Sequence, residues 1–241
     1  DAVIVGRSGG WLTREIIDSA VRLKAVGVIG GAVGQTQPDY LLDKGITLIN
    51  TGWAMSPAVA ETTLAMMLNG LRDFPHMIAQ MKERGWGKAR GALDLTAKSV
   101  GLIGFGMIAK RVAELLQPFD VCLRVYDPYT DAATIERYGG RRVDLDDLLS
   151  NSLVVSIHAG LTAETTGMIG SRELALLPDR ALLVNTARAG VVDEEALVSA
   201  LRTGRIRAAL NVFWKEPLPA DHPLRELDNV ILTPHGGGLT L

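Results

Sequence analysis

Three short motifs in the last third of this 241-residue chain carry side chains able to reduce a carbonyl: Asn185-Thr186-Ala187-Arg188, Trp214-Lys215-Glu216-Pro217 and Thr233-Pro234-His235-Gly236. An arginine grips a carboxylate through two parallel N–H donors, a histidine trades a proton near neutral pH, and a glutamate beside it tunes that proton. Arg188, Glu216 and His235 are therefore the types that hydride transfer to a 2-oxo acid calls for. Each also has a plainer reading by itself, since an arginine after a strand is often a surface charge and Glu-Pro often ends a turn.

A hydride source would sit at Gly104-Phe105-Gly106-Met107-Ile108-Ala109, a G-x-G-x-x-A turn between an apolar strand and an amphipathic helix. Gly104 permits the tight turn, Gly106 lets backbone approach a pyrophosphate, and Ala109 allows close helix packing, with helix amides facing the anion. Asp127 closes the following strand, where such a fold places the acid for the adenosine ribose hydroxyls. Its carboxylate repels a 2′-phosphate, and Pro128-Tyr129-Thr130 brings no arginine, so the expected cofactor is NAD rather than NADP. The alternative is a structural glycine turn followed by a strand-end aspartate.

Alternating strands and helices must position these groups. Apolar segments at 2–5, 25–29, 46–50, 100–103, 121–126, 153–157, 181–185, 208–212 and 230–232 read as strands. Helices are expected at 13–23 with Thr13 as N-cap, around 40–44, at 108–116, 132–138, 145–149 and 194–203, with a short one near Leu224. This interval implies right-handed crossovers and a parallel sheet covered on both faces, an α/β doubly wound architecture. Ser56 and Pro57 look like the start of a long connector helix over about 56–82, with Val59, Met66, Phe74, Met77 and Met81 on one face. That stripe reads as core or interdomain packing, or else as an adaptable binding surface.

The 47% apolar residues supply a substantial core. A net charge of −2 and scattered Lys and Arg give no pull toward nucleic acid. No apolar run approaches the roughly 20 residues of a membrane helix, and residues 1–6 lack the pattern of a secretory signal. The single cysteine, Cys122, suits a reducing cytoplasm, and the histidines at 76, 158, 222 and 235 lack paired ligands for a metal.

Taken together, the 104–109 turn, the run Asn185-Thr186-Ala187-Arg188-Ala189-Gly190-Val191-Val192-Asp193-Glu194, Asn211-Val212-Phe213 before Glu216-Pro217, and Pro234-His235 resemble the D-2-hydroxyacid dehydrogenases over nearly the whole length. The resemblance implies a Rossmann NAD-binding domain over 93–236, set in a flavodoxin-like substrate domain represented by 1–92 and resumed from 237–241. It implies a homodimer through the NAD domain. Arg188 would hold the substrate carboxylate and carbonyl, His235 would exchange the proton, and Glu216 would stabilise protonated His235. Cofactor contacts fall by the same likeness on Gly104, Gly106, Met107, Ile108, Asp127, Pro128, His158, Thr186, Ala187, Arg188, Asn211, His235 and Gly237. His158 borders the cofactor cleft in this reading and is a satisfied core histidine in the other.

The loop Ala32-Val33-Gly34-Gln35 and the turn at Met55 resemble the family's cradle for the substrate carboxylate, so Val33, Gly34 and Met55 join Arg188 and His235 as substrate contacts. Glycines in any strand-to-helix connection would look the same. Asn211 stands where the family usually has an aspartate near the nicotinamide amide, and Gly9 and Gly10 stand where one type of phosphoglycerate dehydrogenase has an arginine. The asparagine bears on cofactor affinity and nicotinamide orientation, whereas the two glycines argue against phosphoglycerate, so the expected substrate is a small unphosphorylated 2-oxo acid such as glyoxylate or hydroxypyruvate. The likeness places Asp1 inside the substrate domain and Leu241 just past the histidine motif, so further segments are expected beyond both ends, with the substrate domain compromised without them. Phosphite or formate dehydrogenase chemistry and a nucleotide-sensing corepressor are the rival functions.

Overall fold

The computed structural model describes residues 1–6, 12–31, 33–86 and 91–239. Residues 7–10, Ala32 and residues 240–241, on which part of the substrate and boundary expectations rested, lie outside that set. The chain divides into two compact units, Asp1–Pro57 and Ala58–Leu241.

In the smaller unit, β1 (Ala2–Val5), β2 (Ala25–Val28) and β3 (Thr47–Asn50) form a parallel sheet in that order. Helices α1 (Arg14–Ser19) and α2 (Pro38–Asp43) cross between them, and Val5, Leu12, Ile17, Val26, Val28, Leu41 and Ile46 make the core. Thr13 caps α1 as expected, accepting from Ile16 N at 3.4 Å. The helix stops at Ser19 rather than running to 23, because Ala20 leaves helical geometry at ψ 62°.

The larger unit holds seven parallel strands in the order β10-β9-β8-β7-β4-β5-β6. These are β4 (Ser99–Ile103), β5 (Cys122–Tyr126), β6 (Gly140–Arg142), β7 (Val154–Ile157), β8 (Leu182–Asn185), β9 (Arg207–Leu210) and β10 (Val230–Leu232). The helices are α3 (Gly52–Arg72), which begins in the smaller unit, then α4 (Phe74–Arg84), α5 (Met107–Leu116), α6 (Ala132–Glu136), α7 (Leu145–Asn151), α8 (Ser171–Leu176) and α9 (Glu194–Arg202). The expected doubly wound sheet is present. Successive β8 residues serve opposite cores: Leu183 joins the cluster with Ile103 and Ile157, whereas Leu182 and Val184 join the one with Leu102 and Val125. Both faces being buried explains why these strands are continuously apolar instead of alternating. Asp131, Asp144 and Asp193 cap α6, α7 and α9 through 2.7, 2.7 and 2.8 Å bonds from backbone N–H groups.

Four expectations are corrected. The single connector helix over 56–82 is two helices, because Asp73 turns left-handed at φ 58° and Pro75 opens a new first turn. Ser56 is not a cap; its hydroxyl donates back to Trp53 O at 2.8 Å inside α3. The buried stripe is Ala60, Thr63, Met66, Met67, Gly70 and Leu71, while Phe74 and Met81 are exposed. That stripe joins the core of the larger unit, so the division falls after Pro57 and not near residue 92. The polar β6 and the short α8 escaped the sequence reading altogether. No helix among the described residues is long and apolar enough to cross a membrane.

Candidate active site

Every group singled out in the larger unit follows the carboxyl end of a strand. The chain winds outward from β4 through β5 and β6, then restarts at β7 on the other side of β4. Ligands of open α/β sheets settle above such a reversal. Gly104 follows β4, Asp127 follows β5, His158 follows β7, the 186–188 segment follows β8, and Asn211 follows β9. The 233–237 segment follows β10.

The glycine turn has the geometry of a cofactor cradle. Gly104 takes φ +85°, and a Cβ there would stand 2.8 Å from Ala159 N, so only glycine fits. At Gly106, the residue before α5, an added Cβ would meet nothing within 4 Å. Gly106, the N-cap of α5, makes no side-chain cap bond to the N–H groups that begin the helix, Met107 is exposed, and Ala109 is fully buried. Ile108 is half-buried.

Asp127 ties β5 to this turn. Its Oδ2 accepts from Phe105 N at 2.6 Å, and its Oδ1 accepts from Tyr129 N and Thr130 N at 2.8 Å each. Burial pushes its carboxyl upward, but the three backbone donors and the Thr130 hydroxyl outweigh that and hold it below the usual carboxylate range. Pro128 O accepts from Arg142 Nη2 at 3.4 Å. Arg142 reaches the end of β5 from β6, a neighbour hidden in the sequence because Gly140-Arg141-Arg142 is short and polar. His158 bonds Ser156 Oγ through Nε2 at 3.0 Å, and burial lowers its pKa to about 4, so it is neutral at pH 7.

The Arg188 loop is shaped from below by Asn185, which is nearly fully buried. Asn185 Oδ1 accepts from Ala187 N at 3.0 Å, and its Nδ2 donates to Arg188 O at 2.9 Å. Thr186 meets Thr63 of α3 hydroxyl to hydroxyl at 2.8 Å. Arg188 is half-buried, and its Nη1 donates to Ala187 O at 2.6 Å.

His235 Nδ1 lies 2.7 Å from Glu216 Oε2, and Glu216 Oε1 accepts from Phe213 N at 3.0 Å. Burial raises the Glu216 carboxyl, but bonds from His235 and Phe213, with the charges of His235 and Arg188, outweigh it and hold it below the usual range. An ionised carboxylate only accepts, so His235 Nδ1 carries the hydrogen and Nε2 is left for proton exchange. His235 Nε2 has no partner among the described residues. Asn211 turns its carboxamide inward, toward Thr233 Oγ1 at 2.8 Å and Gly237 N at 3.2 Å.

Val33 and Met55 belong to the smaller unit. Val33 precedes a 3-10 turn over Gly34–Thr36 and accepts from Thr36 Oγ1 at 2.6 Å. Gly30, at φ +110°, has Met55 Sδ 3.8 Å from where its Cβ would be, and its N–H donates to Thr51 Oγ1 at 3.0 Å. Gly30 and Gly31 therefore neighbour the segment from Thr51 to Met55. Among the described residues no group of three or more His, Cys, Asp or Glu could hold a metal.

Residues 64–237 match the family model described as D-isomer specific 2-hydroxyacid dehydrogenase, NAD binding domain. The chain is 39% identical to a D-3-phosphoglycerate dehydrogenase of Methanocaldococcus jannaschii, covering 99% of this chain and 46% of that protein. It thus spans about half the length of that relative. It is 37% identical to glyoxylate/hydroxypyruvate reductase B of Pectobacterium atrosepticum, covering 98% of this chain and 76% of the relative. A D-lactate dehydrogenase from Aquifex aeolicus, solved in complex with NAD and lactic acid, is 30% identical with a TM-score of 0.86, covering 99% of this chain and 77% of that one.

Proposed function

The chain belongs to the D-isomer specific 2-hydroxyacid dehydrogenase family, and from that premise we propose that it transfers hydride between NAD(H) and a small 2-hydroxy or 2-oxo acid. The observation that carries this reading is the 2.7 Å contact of His235 Nδ1 with Glu216, on a carboxylate that also feels the charge of Arg188.

In the reducing direction, Arg188 holds the substrate carboxylate and polarises the carbonyl, and protonated His235 delivers its Nε2 hydrogen to the carbonyl oxygen. Glu216 stabilises the imidazolium before transfer and fixes the ring afterward. In oxidation His235 Nε2 takes the hydroxyl proton. NAD, when bound, supplies or accepts the hydride. The residues fit it: Gly106 leaves open space above uncapped amides, and Asp127 offers a carboxylate to ribose hydroxyls. Met107, Ile108, Pro128, His158, Thr186 and Ala187 would border it. Gly237 would close the nicotinamide end.

For substrate we propose an unphosphorylated 2-oxo acid such as glyoxylate or hydroxypyruvate, with Val33, Gly34 and Met55 contributing to its carboxylate cradle. The relative named for glyoxylate and hydroxypyruvate supports this, as do Gly9 and Gly10 in the sequence. A homodimer through the larger unit and a reducing cytoplasm complete the proposal, the latter resting on the single Cys122.

The deciding experiment follows NADH oxidation by the full-length protein against glyoxylate, hydroxypyruvate, phosphohydroxypyruvate and pyruvate, with formate and phosphite tested through NAD reduction. His235→Ala should lower kcat by about 10²- to 10⁴-fold while retaining NADH binding. Tight NADH binding with no turnover on any compound would favour a sensing role. An undiminished rate in the variant would refute the assignment of His235.

A further inference from the structure

His235 occupies a backbone state that needs external support. Its φ is +35°, in the left-handed region that few non-glycine residues adopt and that costs backbone energy. The turn is tight, with His235 N donating to Thr233 O at 3.0 Å.

Asn211 spans this turn. Its Nδ2 donates to Thr233 Oγ1 at 2.8 Å, two residues before His235, and its Oδ1 accepts from Gly237 N at 3.2 Å, two residues after. The base of the tie is rigid: Asn211 is 3% exposed, and its own N–H donates to Asn185 O at 2.9 Å. A second tie comes from Thr62 of α3, whose hydroxyl donates to Gly237 O at 3.1 Å. No room remains for slack, because a Cβ on Gly237 would stand 3.0 Å from Asn211 Oδ1 and 3.3 Å from Thr62 Cγ2.

We propose that Asn211 is a positioning residue for the proposed dehydrogenase, its carboxamide bracing the 233–237 turn so that His235 Nδ1 stays on Glu216 and Nε2 stays directed at the reacting oxygen. The inference rests on the dehydrogenase reading for its effect on turnover, while the geometric brace stands apart from it. An amide suits the task because one end donates and the other accepts, whereas Thr233 and Gly237 N offer one acceptor and one donor. An alanine would remove both bonds and leave Gly237 N–H buried without its partner.

Two readouts separate this role from a direct contact with nicotinamide. In the full-length protein, Asn211→Ala lowers kcat by about 10²-fold, the scale of loss for a misplaced catalytic group. The NADH Kd from fluorescence titration changes less than threefold. Thr233→Val cuts one bond only and gives a smaller fall, and the double variant is no slower than Asn211→Ala because both changes break one tie. NMR of 15N-labelled protein follows the His235 ring nitrogens through their couplings to the carbon-bound ring protons; the resonance pattern of the Nδ1–H tautomer, kept by Glu216, is lost in Asn211→Ala and weakened in Thr233→Val. A retained resonance in both variants, or a large rise in NADH Kd with kcat preserved, would overturn the proposal. Absence of turnover in the unmodified protein would defeat the dehydrogenase reading alone, with the resonance still deciding whether Asn211 braces His235.

Discussion

His158 and His235 follow strands of one sheet and have opposite electrostatic surroundings. His235 faces a carboxylate held ionised, whereas burial drives His158 down to about 4. Between about pH 6.5 and about 4 the unfolded chain binds a proton at position 158 that the folded chain refuses, so stability falls as pH falls through that window. His158→Gln should remove this dependence: chemical denaturation across the window should show the wild type losing stability relative to the variant, and parallel curves would refute it. The chemistry-bearing types at 188, 216 and 235 were legible because they sit in recognisable motifs. Asn185 is legible in the sequence only as the first residue of its motif, since its bonds to Ala187 N and Arg188 O exist once the turn is folded. A buried strand-end asparagine followed by a tight loop is the signal that would have found it.

Among the elements, the β4–Gly104–α5 corner was read correctly because its requirement is local. Gly104 needs φ +85° and has Ala159 N where its Cβ would go, so Gly104→Ala combines left-handed strain with a clash against backbone. The expected cost is about 2 kcal/mol or more, with NADH affinity reduced as the turn shifts. Denaturant melts and cofactor titration on the same preparation check this, and an unperturbed variant would show the corner to be pliable. The helices between 52 and 84 were misread for a complementary reason. Their hydrophobic period ran on through Asp73, but a left-handed Asp73 and the proline two residues later interrupt the hydrogen-bond ladder.

At the scale of the molecule, protection should follow burial. The four residues of β7 and β8 are all buried, and four of five in β4, whereas β1 and β3 each have at least two exposed residues. Amide hydrogen exchange should therefore be slowest in β4, β7 and β8 and faster in β1 to β3, and the reverse order would contradict the distribution of core between the units. The sequence by itself determined the alternation of strands and helices, the parallel sheet buried on both faces, the glycine corner and the residue types for hydride chemistry. These depend on near neighbours in the chain, on period and on side-chain identity. Tertiary structure alone decided that the division falls after Pro57, that Asn211 faces Thr233 and Gly237, and that Asn185 shapes the Arg188 loop. Each of those depends on which strand ends the winding of the sheet brings side by side, and pairing between distant segments leaves no period to read.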